Sequence, residues 1–274
     1  MDASEQPDRR APIGILDSGV GGLTVVRAVM DLLPQESIRY VGDTANAPYG
    51  PLPDEQIRRL TGAVIESLVL AGCKAIVIAC NTAAAAGAHA QAVAQYRVPV
   101  LEVITPAART AARVTRSGRI GVIATVATVD SGAYPRTVAA LPGGDELHVV
   151  QQACPSFVDF VERGLTSGRQ VTGLAQAYLD PLQRAEIDTL ILGCTHYPLL
   201  VDVLQQVLGP QVPLVSSALE TAIDLAAALR DLDLLSPPDA VPEHEFLATG
   251  APGPFTALAR RFLGSDVVPI GSQP

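Results

Sequence analysis

Two cysteines, each at the end of a short apolar run, have the residue type and the spacing that best suit catalysis. The first run, AIVIACNT, contains Cys80, and the second, TLILGCTH, contains Cys194. Each run is rich in Ile, Val and Leu and stops at small polar residues, as a buried parallel strand does at its carboxyl end. Chemistry in open α/β sheets gathers at those ends. Two equivalently placed thiols therefore indicate a reaction that uses one acid/base group from each side.

The residues around the two thiols are suited to the same chemistry. A cysteine between a strand end and a helix start lies near the positive end of the helix dipole, so we expect a bias towards thiolate. Asn81, Thr82 and Thr195 follow the cysteines and can bond a substrate carboxylate or cap a helix, and the two roles are compatible. His196, next but one to Cys194, can take or give a proton.

The similarity of the two runs extends into a longer internal repeat. PIGILDSG near the start resembles RIGVIATV further on, and a VP pair follows each cysteine after 19 residues, at Pro99 and at Pro213. Matched order and spacing favour a duplicated α/β unit. The predicted strands lie at 13–17, 38–42 and 75–79 in the first unit and at 119–124, 147–152 and 189–193 in the second.

Composition limits the classes of protein to which the chain can belong. The chain has 274 residues, of which 48% are hydrophobic and 17% charged, so it can bury a substantial core. It has no apolar run long enough to cross a membrane, and its start lacks the apolar region of a signal peptide. We therefore predict a cytoplasmic protein without a membrane partner. The net charge of −9 argues against nucleic-acid binding. The four cysteines include no CxxC pair, which argues against a zinc site.

The glycine-rich turn DSGVGGLT allows a competing interpretation. Its backbone N–H groups could approach an anion at a helix N-terminus. Gly19 and Gly21 fit the first two positions of a dinucleotide fingerprint, whereas Thr24 occupies the third. Asp43 lies where a ribose-binding acid belongs. A dinucleotide site would leave the paired cysteines unexplained, so we rank it second.

Four motifs together, GILDSGVGGLTV, YVGDTANAPYG, ACNTA and GCTHYPLL, resemble those of the glutamate racemase family within the aspartate/glutamate racemase superfamily. The similarity spans the chain from residue 12 to residue 270. This resemblance implies cofactor-independent interconversion of L- and D-glutamate, which supplies D-glutamate for bacterial peptidoglycan. It also implies two α/β domains that face each other across a cleft and contribute one catalytic cysteine each.

Matched motif by motif, the resemblance implies that Cys80 deprotonates D-glutamate and Cys194 deprotonates L-glutamate. It further implies that Asp17 assists Cys80, while His196 and Glu162, from the segment FVERG, assist Cys194. Asp17 retains a second interpretation as a turn-capping carboxylate. The stretch AAAA at 83–86 and Asn46 depart from the commoner family forms. The substrate-binding residues implied are Asp17, Ser18, Tyr49, Gly50, Asn81, Thr82, Thr195 and His196.

The repeat and the resemblance together predict an α/β fold of two similar domains with mainly parallel sheets, related by pseudo-two-fold symmetry, with the active site in the cleft between them. We expect a mobile N-terminus over residues 1–11. The first domain is predicted to be discontinuous, over 12–98 and 212–274, and the second to cover 99–211. The tail, with HEFLATG, a helix at 254–263 and DVVPI, is expected to return to the first domain.

Two other functions remain open at this point. A sister racemase acting on aspartate or another acidic substrate would carry the same thiols. A non-catalytic binding protein that has kept the cleft is a candidate from a different class, although neither thiol has been lost. The partner predicted in each case is a small molecule, glutamate first of all. A homodimer is possible.

Overall fold

Two parallel β-sheets organise the chain. The computed structural model describes residues 8–263 and 270–272. In chain order the strands are β1 Ile13–Asp17, β2 Ile38–Gly42, β3 Ala75–Ile78, β4 Val100–Glu102, β5 Arg119–Ala124, β6 His148–Ala153, β7 Thr189–Gly193, β8 Leu214–Ser216, β9 His244–Ala248 and β10 Ile270–Ser272. The strands predicted from the repeat are confirmed, with shifts of one residue at β3 and β6.

Helices connect the strands and cover the sheets. They are α1 Leu23–Leu32, α2 Asp54–Leu70, α3 Asn81–Ala85, α4 Ala88–Gln95, α5 Ile104–Val114, α6 Val126–Asp130, α7 Ala133–Ala139, α8 Ser156–Glu162, α9 Arg169–Arg184, α10 Val201–Leu208, α11 Ser217–Asp231 and α12 Pro252–Leu263. Short 3₁₀ turns lie at Gly144–Glu146 and Tyr197–Leu200. None of the helices in the described ranges combines the length and apolarity that a membrane crossing requires.

The strand order repeats between the two sheets. Within the described residues the first sheet has the order β10-β9-β2-β1-β3-β4 and the second has the order β6-β5-β7-β8. The stretch β2-β1-β3-β4 therefore matches β6-β5-β7-β8 position by position. Every pairing observed in these two sheets is parallel. The predicted α/β fold of two similar units is confirmed, and β3 and β7 are equivalent strands.

Burial explains why these segments form strands and helices. All five residues of β1 and all five of β7 are buried, as expected for central parallel strands that have helices on both faces. In α1, Leu23, Val25, Val26 and Val29 form the buried stripe, while the opposite side is exposed. The carboxyl ends of the central strands are thereby held rigidly at one edge of each sheet.

The chain crosses between the two sheets later than the predicted boundaries at 98/99 and 211/212. Strand β4 pairs with β3 in the first sheet, and β8 pairs with β7 in the second. Each VP run is thus the fourth strand of its own unit, and the crossing follows that strand. The side chain of Glu102 accepts hydrogen bonds from the backbone N–H groups of Ile104 and Thr105, which starts α5 directly after β4.

Both ends of the chain lie against the first unit where they are described. Strand β9 pairs with β2, so the tail returns to the first sheet. Arg9 donates to the backbone oxygen of Leu235, and Arg10 pairs with Asp239. Residues 1–7 of the predicted mobile segment, and most of DVVPI, lie outside the described residues.

Candidate active site

The two cysteines follow equivalent strands at the facing edges of the two sheets. Cys80 comes two residues after β3 and precedes α3, while Cys194 directly follows β7. Both side chains are buried, with exposures of 5% and 6%. Asp17 ends β1, the strand beside β3. The fold therefore brings residues from the carboxyl ends of several strands into one buried region.

Cys80 is buried beside Ser18 and Asp17 of the first unit. Its Sγ is 3.3 Å from the Oγ of Ser18, which the resemblance implied as a substrate ligand. Burial, and then the neighbouring Asp17 carboxylate, raise the pKa of the Cys80 thiol to about 12, although Ser18 and the backbone N–H of Ala83 act in the opposite direction. The expected bias towards thiolate is wrong for this cysteine. Helix α3 has only five residues, so its dipole is too weak to offset burial.

Asp17 caps the turn with one carboxylate oxygen, and its other oxygen has no partner among the described residues. Its Oδ2 accepts a hydrogen bond of 3.1 Å from the backbone N–H of Gly19, as a turn-capping carboxylate does. Its Oδ1 is buried and has no hydrogen-bond partner among the described residues. Burial raises the pKa of this carboxyl, and His196 and the backbone N–H groups of the turn partly counteract that rise. One oxygen of Asp17 is therefore available for a bound molecule.

Cys194 lies beside a histidine–carboxylate pair. Its Sγ is 3.9 Å from Nδ1 of His196, and Nε2 of the same ring is 3.0 Å from Oε1 of Glu162. Burial lowers the pKa of His196, but the contacts with Cys194 and Glu162 and the charge of Asp17 outweigh it and raise the pKa to about 10. The imidazole is accordingly held as a cation at neutral pH.

The glycine-rich turn of the first unit touches the cysteine loop of the second. A Cβ atom added at Gly21 would lie 2.2 Å from Oγ1 of Thr195 and 2.5 Å from Nδ1 of His196. The hydroxyl of Thr24 donates to the backbone oxygen of Thr195 at 3.0 Å. Glycine is thus required at position 21 because two units meet there, which is a different reason from phosphate binding.

Asn81 and Thr82 make the matching contacts on the other side of the site. Oδ1 of Asn81 accepts a hydrogen bond of 2.7 Å from Tyr134 of the second unit. Oγ1 of Thr82 is 3.2 Å from that of Thr125 and 3.4 Å from that of Thr128. Nδ2 of Asn81 is buried and has no partner among the described residues. It is a second polar group open to a ligand.

The loop after β2 argues against the dinucleotide interpretation. Both oxygens of Asp43 are occupied, since Tyr49, Asn46 and Thr249 donate to them. No carboxylate oxygen is left for a ribose hydroxyl. Because the Tyr49 hydroxyl is committed to Asp43, we expect Tyr49 and Gly50 to reach a ligand only through their backbone.

Helix α12 of the tail covers the Cys194 side. The ring of Phe262 meets that of His196 edge to face, with centroids 5.7 Å apart. Arg261 donates to the backbone oxygen of Glu162. Both residues were missed in the sequence, where α12 carries no motif. Thr24, Thr125, Thr128 and Tyr134 were missed as well, because contacts between the two units leave no local pattern.

The remaining cysteines lie in apolar surroundings. Cys73 packs against Gly14, where an added Cβ would lie 3.2 Å from its Sγ, and burial raises its pKa to about 11. Cys154 is fully buried, and burial raises its pKa too. Both therefore fit structural roles as small buried side chains.

Comparison with known proteins gives this arrangement a family. Residues 23–224 match the Asp/Glu/Hydantoin racemase family. The chain belongs to that family. It is 58% identical over 264 residues to a glutamate racemase of Saccharopolyspora erythraea, with 96% of each chain covered. It is 57% identical over 255 residues to a glutamate racemase of Mycobacterium tuberculosis, with 93% of each covered.

Solved structures agree with this membership. A glutamate racemase from Bacillus anthracis superposes with a TM-score of 0.90 at 42% identity, covering 97% of both chains. One from Francisella tularensis in complex with D-glutamate gives 0.88 at 33% identity, covering 97% of this chain and 98% of that one. The resemblance seen in the motifs is confirmed. The protein is therefore an amino-acid racemase, which is an isomerase.

Proposed function

We propose that this protein interconverts L- and D-glutamate with Cys80 and Cys194 as its two acid/base groups. The observation that carries the proposal is that both thiols follow equivalent strands, while the turn beside Asp17 touches Thr195 and His196 across the two units. The relatives named as glutamate racemases support the choice of substrate.

Inversion at the α-carbon requires proton removal from one face and proton return to the other. A Cys194 thiolate takes the α-proton of L-glutamate, and the Cys80 thiol donates its proton to the opposite face, which yields D-glutamate. The two thiols finish with exchanged protonation states. For D-glutamate the same steps run in reverse. Proton transfer to and from the substrate therefore needs no donor or acceptor besides the two thiols.

The surroundings of Cys80 suit its role as the acid in the L-to-D direction. Burial and Asp17 raise its pKa and keep the thiol protonated. A protonated Cys80 can donate to the substrate, as the conversion of L-glutamate requires. Before Cys80 can accept the proton of D-glutamate, its own proton must move, and the nearby Asp17 carboxylate is the proposed acceptor.

The unpartnered buried groups of the site suit an amino-acid substrate. Nδ2 of Asn81 is a donor without an acceptor among the described residues, and a substrate carboxylate supplies one. Oδ1 of Asp17 is an acceptor that the ammonium group of an amino acid satisfies. The backbone at Tyr49 and Gly50 and the hydroxyls of Ser18, Thr82 and Thr195 complete the proposed set. Preorganised donors of this kind stabilise the carbanion that forms during proton transfer.

The proposal also covers the enzyme's cellular location and its metabolic role. We place it in the cytoplasm, as the composition predicted. As the resemblance implied, it needs no cofactor and supplies D-glutamate to peptidoglycan synthesis. Restored growth of a bacterial strain that requires external D-glutamate, when it expresses this chain, supports that role.

Proton exchange in heavy water tests the reaction directly. Purified protein with L-glutamate in D₂O, and no added cofactor, is expected to abolish the optical rotation and to introduce deuterium at the α-carbon. Failure of both over a range of pH would overturn the proposal. Equal or faster turnover of aspartate would identify the sister racemase instead, and tight glutamate binding without any exchange would identify a binding protein.

A further inference from the structure

Tyr134 connects the two cysteine loops, although no motif singled it out. It belongs to α7 of the second unit and is completely buried. Its hydroxyl donates to Oδ1 of Asn81 at 2.7 Å. Asn81 directly follows Cys80 in the first unit. The hydrogen bond therefore links a residue of one unit to the cysteine loop of the other.

The ring of Tyr134 rests on the other cysteine loop. A Cβ atom added at Gly193 would lie 2.9 Å from Cε2 of this ring and 2.9 Å from the backbone oxygen of Ile123. Gly193 directly precedes Cys194. One rigid side chain thus spans from the residue after the first thiol to the residue before the second.

The hydroxyl also selects one orientation of the Asn81 amide. In the observed orientation Tyr134 donates to Oδ1, which leaves Nδ2 as a buried donor without a partner among the described residues. If the amide rotated by half a turn, Nδ2 would donate to Tyr134, and the phenol proton would lose the one acceptor that the structure gives it. A buried donor without an acceptor is costly. Burial raises the pKa of Tyr134 well above its ordinary value, so the hydroxyl stays a donor at any working pH.

We propose that Tyr134 is a positioning residue for the racemisation: its hydroxyl holds Nδ2 of Asn81 ready for a substrate carboxylate, and its ring sets the approach of the Cys80 and Cys194 loops. This inference rests on the function proposed above. Tyr134 acts through Asn81 and Gly193 and does not itself exchange a proton with the substrate.

The variant Tyr134→Phe separates the two parts of this role. It keeps the ring against Gly193 and removes only the hydroxyl. We expect KM for glutamate to rise about tenfold, since one well-formed buried hydrogen bond is worth roughly that factor, while kcat stays within about threefold. The matched control is Tyr178→Phe, because the Tyr178 hydroxyl bonds Ser156 at 3.1 Å, away from both cysteines. The control is expected to leave both constants unchanged.

A double-mutant cycle with Asn81→Ala tests whether the hydroxyl acts through the amide. Once the amide is absent, adding Tyr134→Phe is expected to cause no further rise in KM. Further losses that multiply with those of Asn81→Ala would overturn the proposal. So would a Tyr134→Phe protein with a lowered Tm and an unchanged KM, because that result describes a structural cross-link alone.

The same experiments distinguish this proposal from the function on which it rests. A wild-type protein that does not racemise glutamate overturns the proposed function, and the role of Tyr134 with it. An active wild type whose Tyr134→Phe variant has normal kinetics overturns the role of Tyr134 only.

Discussion

The Cys80 side and the Cys194 side of the site occupy equivalent places in a duplicated fold but have opposite electrostatics. The registers of β1 with β3 and of β5 with β7, continued to the cysteines, place Ser18 beside Cys80 and Thr125 beside Cys194. Each cysteine thus has a hydroxyl-bearing residue beside it, directly after the neighbouring strand. One residue earlier, however, the carboxylate of Asp17 corresponds to Ala124.

The position two residues after each cysteine differs in the same way. Thr82 follows Cys80, and His196 follows Cys194. The first unit therefore adds an anion near its thiol and the second unit adds a cation. The duplicated units thus place similar thiols in surroundings of opposite charge. Under the proposed mechanism, this asymmetry distinguishes the two faces on which the thiols act.

The largest effect is expected when either thiol is removed. Cys80→Ser and Cys194→Ser should each lower racemisation by at least about 10²–10⁴-fold, because a serine hydroxyl is too weak an acid to serve as a base near neutral pH. Each variant nevertheless keeps one competent thiol. With a β-chloro analogue of glutamate, loss of the α-proton and of chloride gives an enamine that hydrolyses to a 2-oxo acid and ammonia, and it needs only the first abstraction.

The two variants should therefore lose opposite enantiomers. Cys80→Ser is expected to retain 2-oxo acid formation from the L-analogue, and Cys194→Ser from the D-analogue. Release of the 2-oxo acid from each enantiomer is the measurement. The assignment of the two faces is wrong if both variants process the same enantiomer.

Gly21→Ala should disturb the contact between the two sides. Its new Cβ would have to displace Thr195 or His196, so the first-unit turn must retreat from the Cys194 loop. We expect kcat/KM to fall about 10²-fold, the typical effect of a misplacement of about 1 Å. Gly19→Ala is the control in the same turn, since nothing lies within 4 Å of an added Cβ there. Equal kinetics for the two variants would show that this contact is unimportant.

Asp17→Asn should reduce the electrostatic difference between the thiols. Without the carboxylate, the pKa of Cys80 is expected to fall from about 12, and each unit of fall raises its thiolate fraction about tenfold. Alkylation of Cys80 by iodoacetamide at pH 9, followed by peptide mass spectrometry, should become faster. Glu162→Gln serves as the control, because Glu162 does not affect this thiol. A slower reaction at Cys80 in Asp17→Asn would contradict the proposed charge effect.

Glu162→Gln should produce the smallest change, on the Cys194 side. The carboxylate raises the pKa of His196, but 40% of its side chain is exposed, so solvent screens part of the effect. An NMR titration is expected to show the His196 midpoint near pH 10 in the wild type and a lower midpoint in the variant. An unchanged midpoint would mean that Glu162 does not hold the imidazolium.

The His196–Glu162 pair also contributes to the stability of the fold. The folded-state pKa of His196, about 10, lies above its ordinary value of 6.5, so the pair's contribution to the free energy of unfolding is complete below pH 6.5. That contribution is lost as the pH rises through 10. Denaturant unfolding of the wild type and of Glu162→Gln should therefore converge at high pH.

Much of the fold was predictable because its signals are local. Central parallel strands are buried on both faces and therefore appear as continuous apolar runs, which is why β1, β3, β5 and β7 were predicted within one residue. The repeat gave the duplication, and the polar residues after Asp17, Cys80 and Cys194 marked the strand ends where chemistry gathers. The strand-crossing points were misplaced because a three-residue strand such as β4 or β8 carries no pattern of its own.

The sequence by itself determined that two thiols end equivalent strands of a duplicated α/β unit, because strand burial and turn chemistry act over a few residues. Only the tertiary structure decided how those thiols differ. The pKa of Cys80 depends on burial and on Asp17, 63 residues away in the chain, and helix-dipole reasoning on its own pointed in the wrong direction. Tyr134 and Gly21 gain their importance where one unit meets the other. Contacts of that kind depend on how the chain folds back on itself, so no local pattern reveals them.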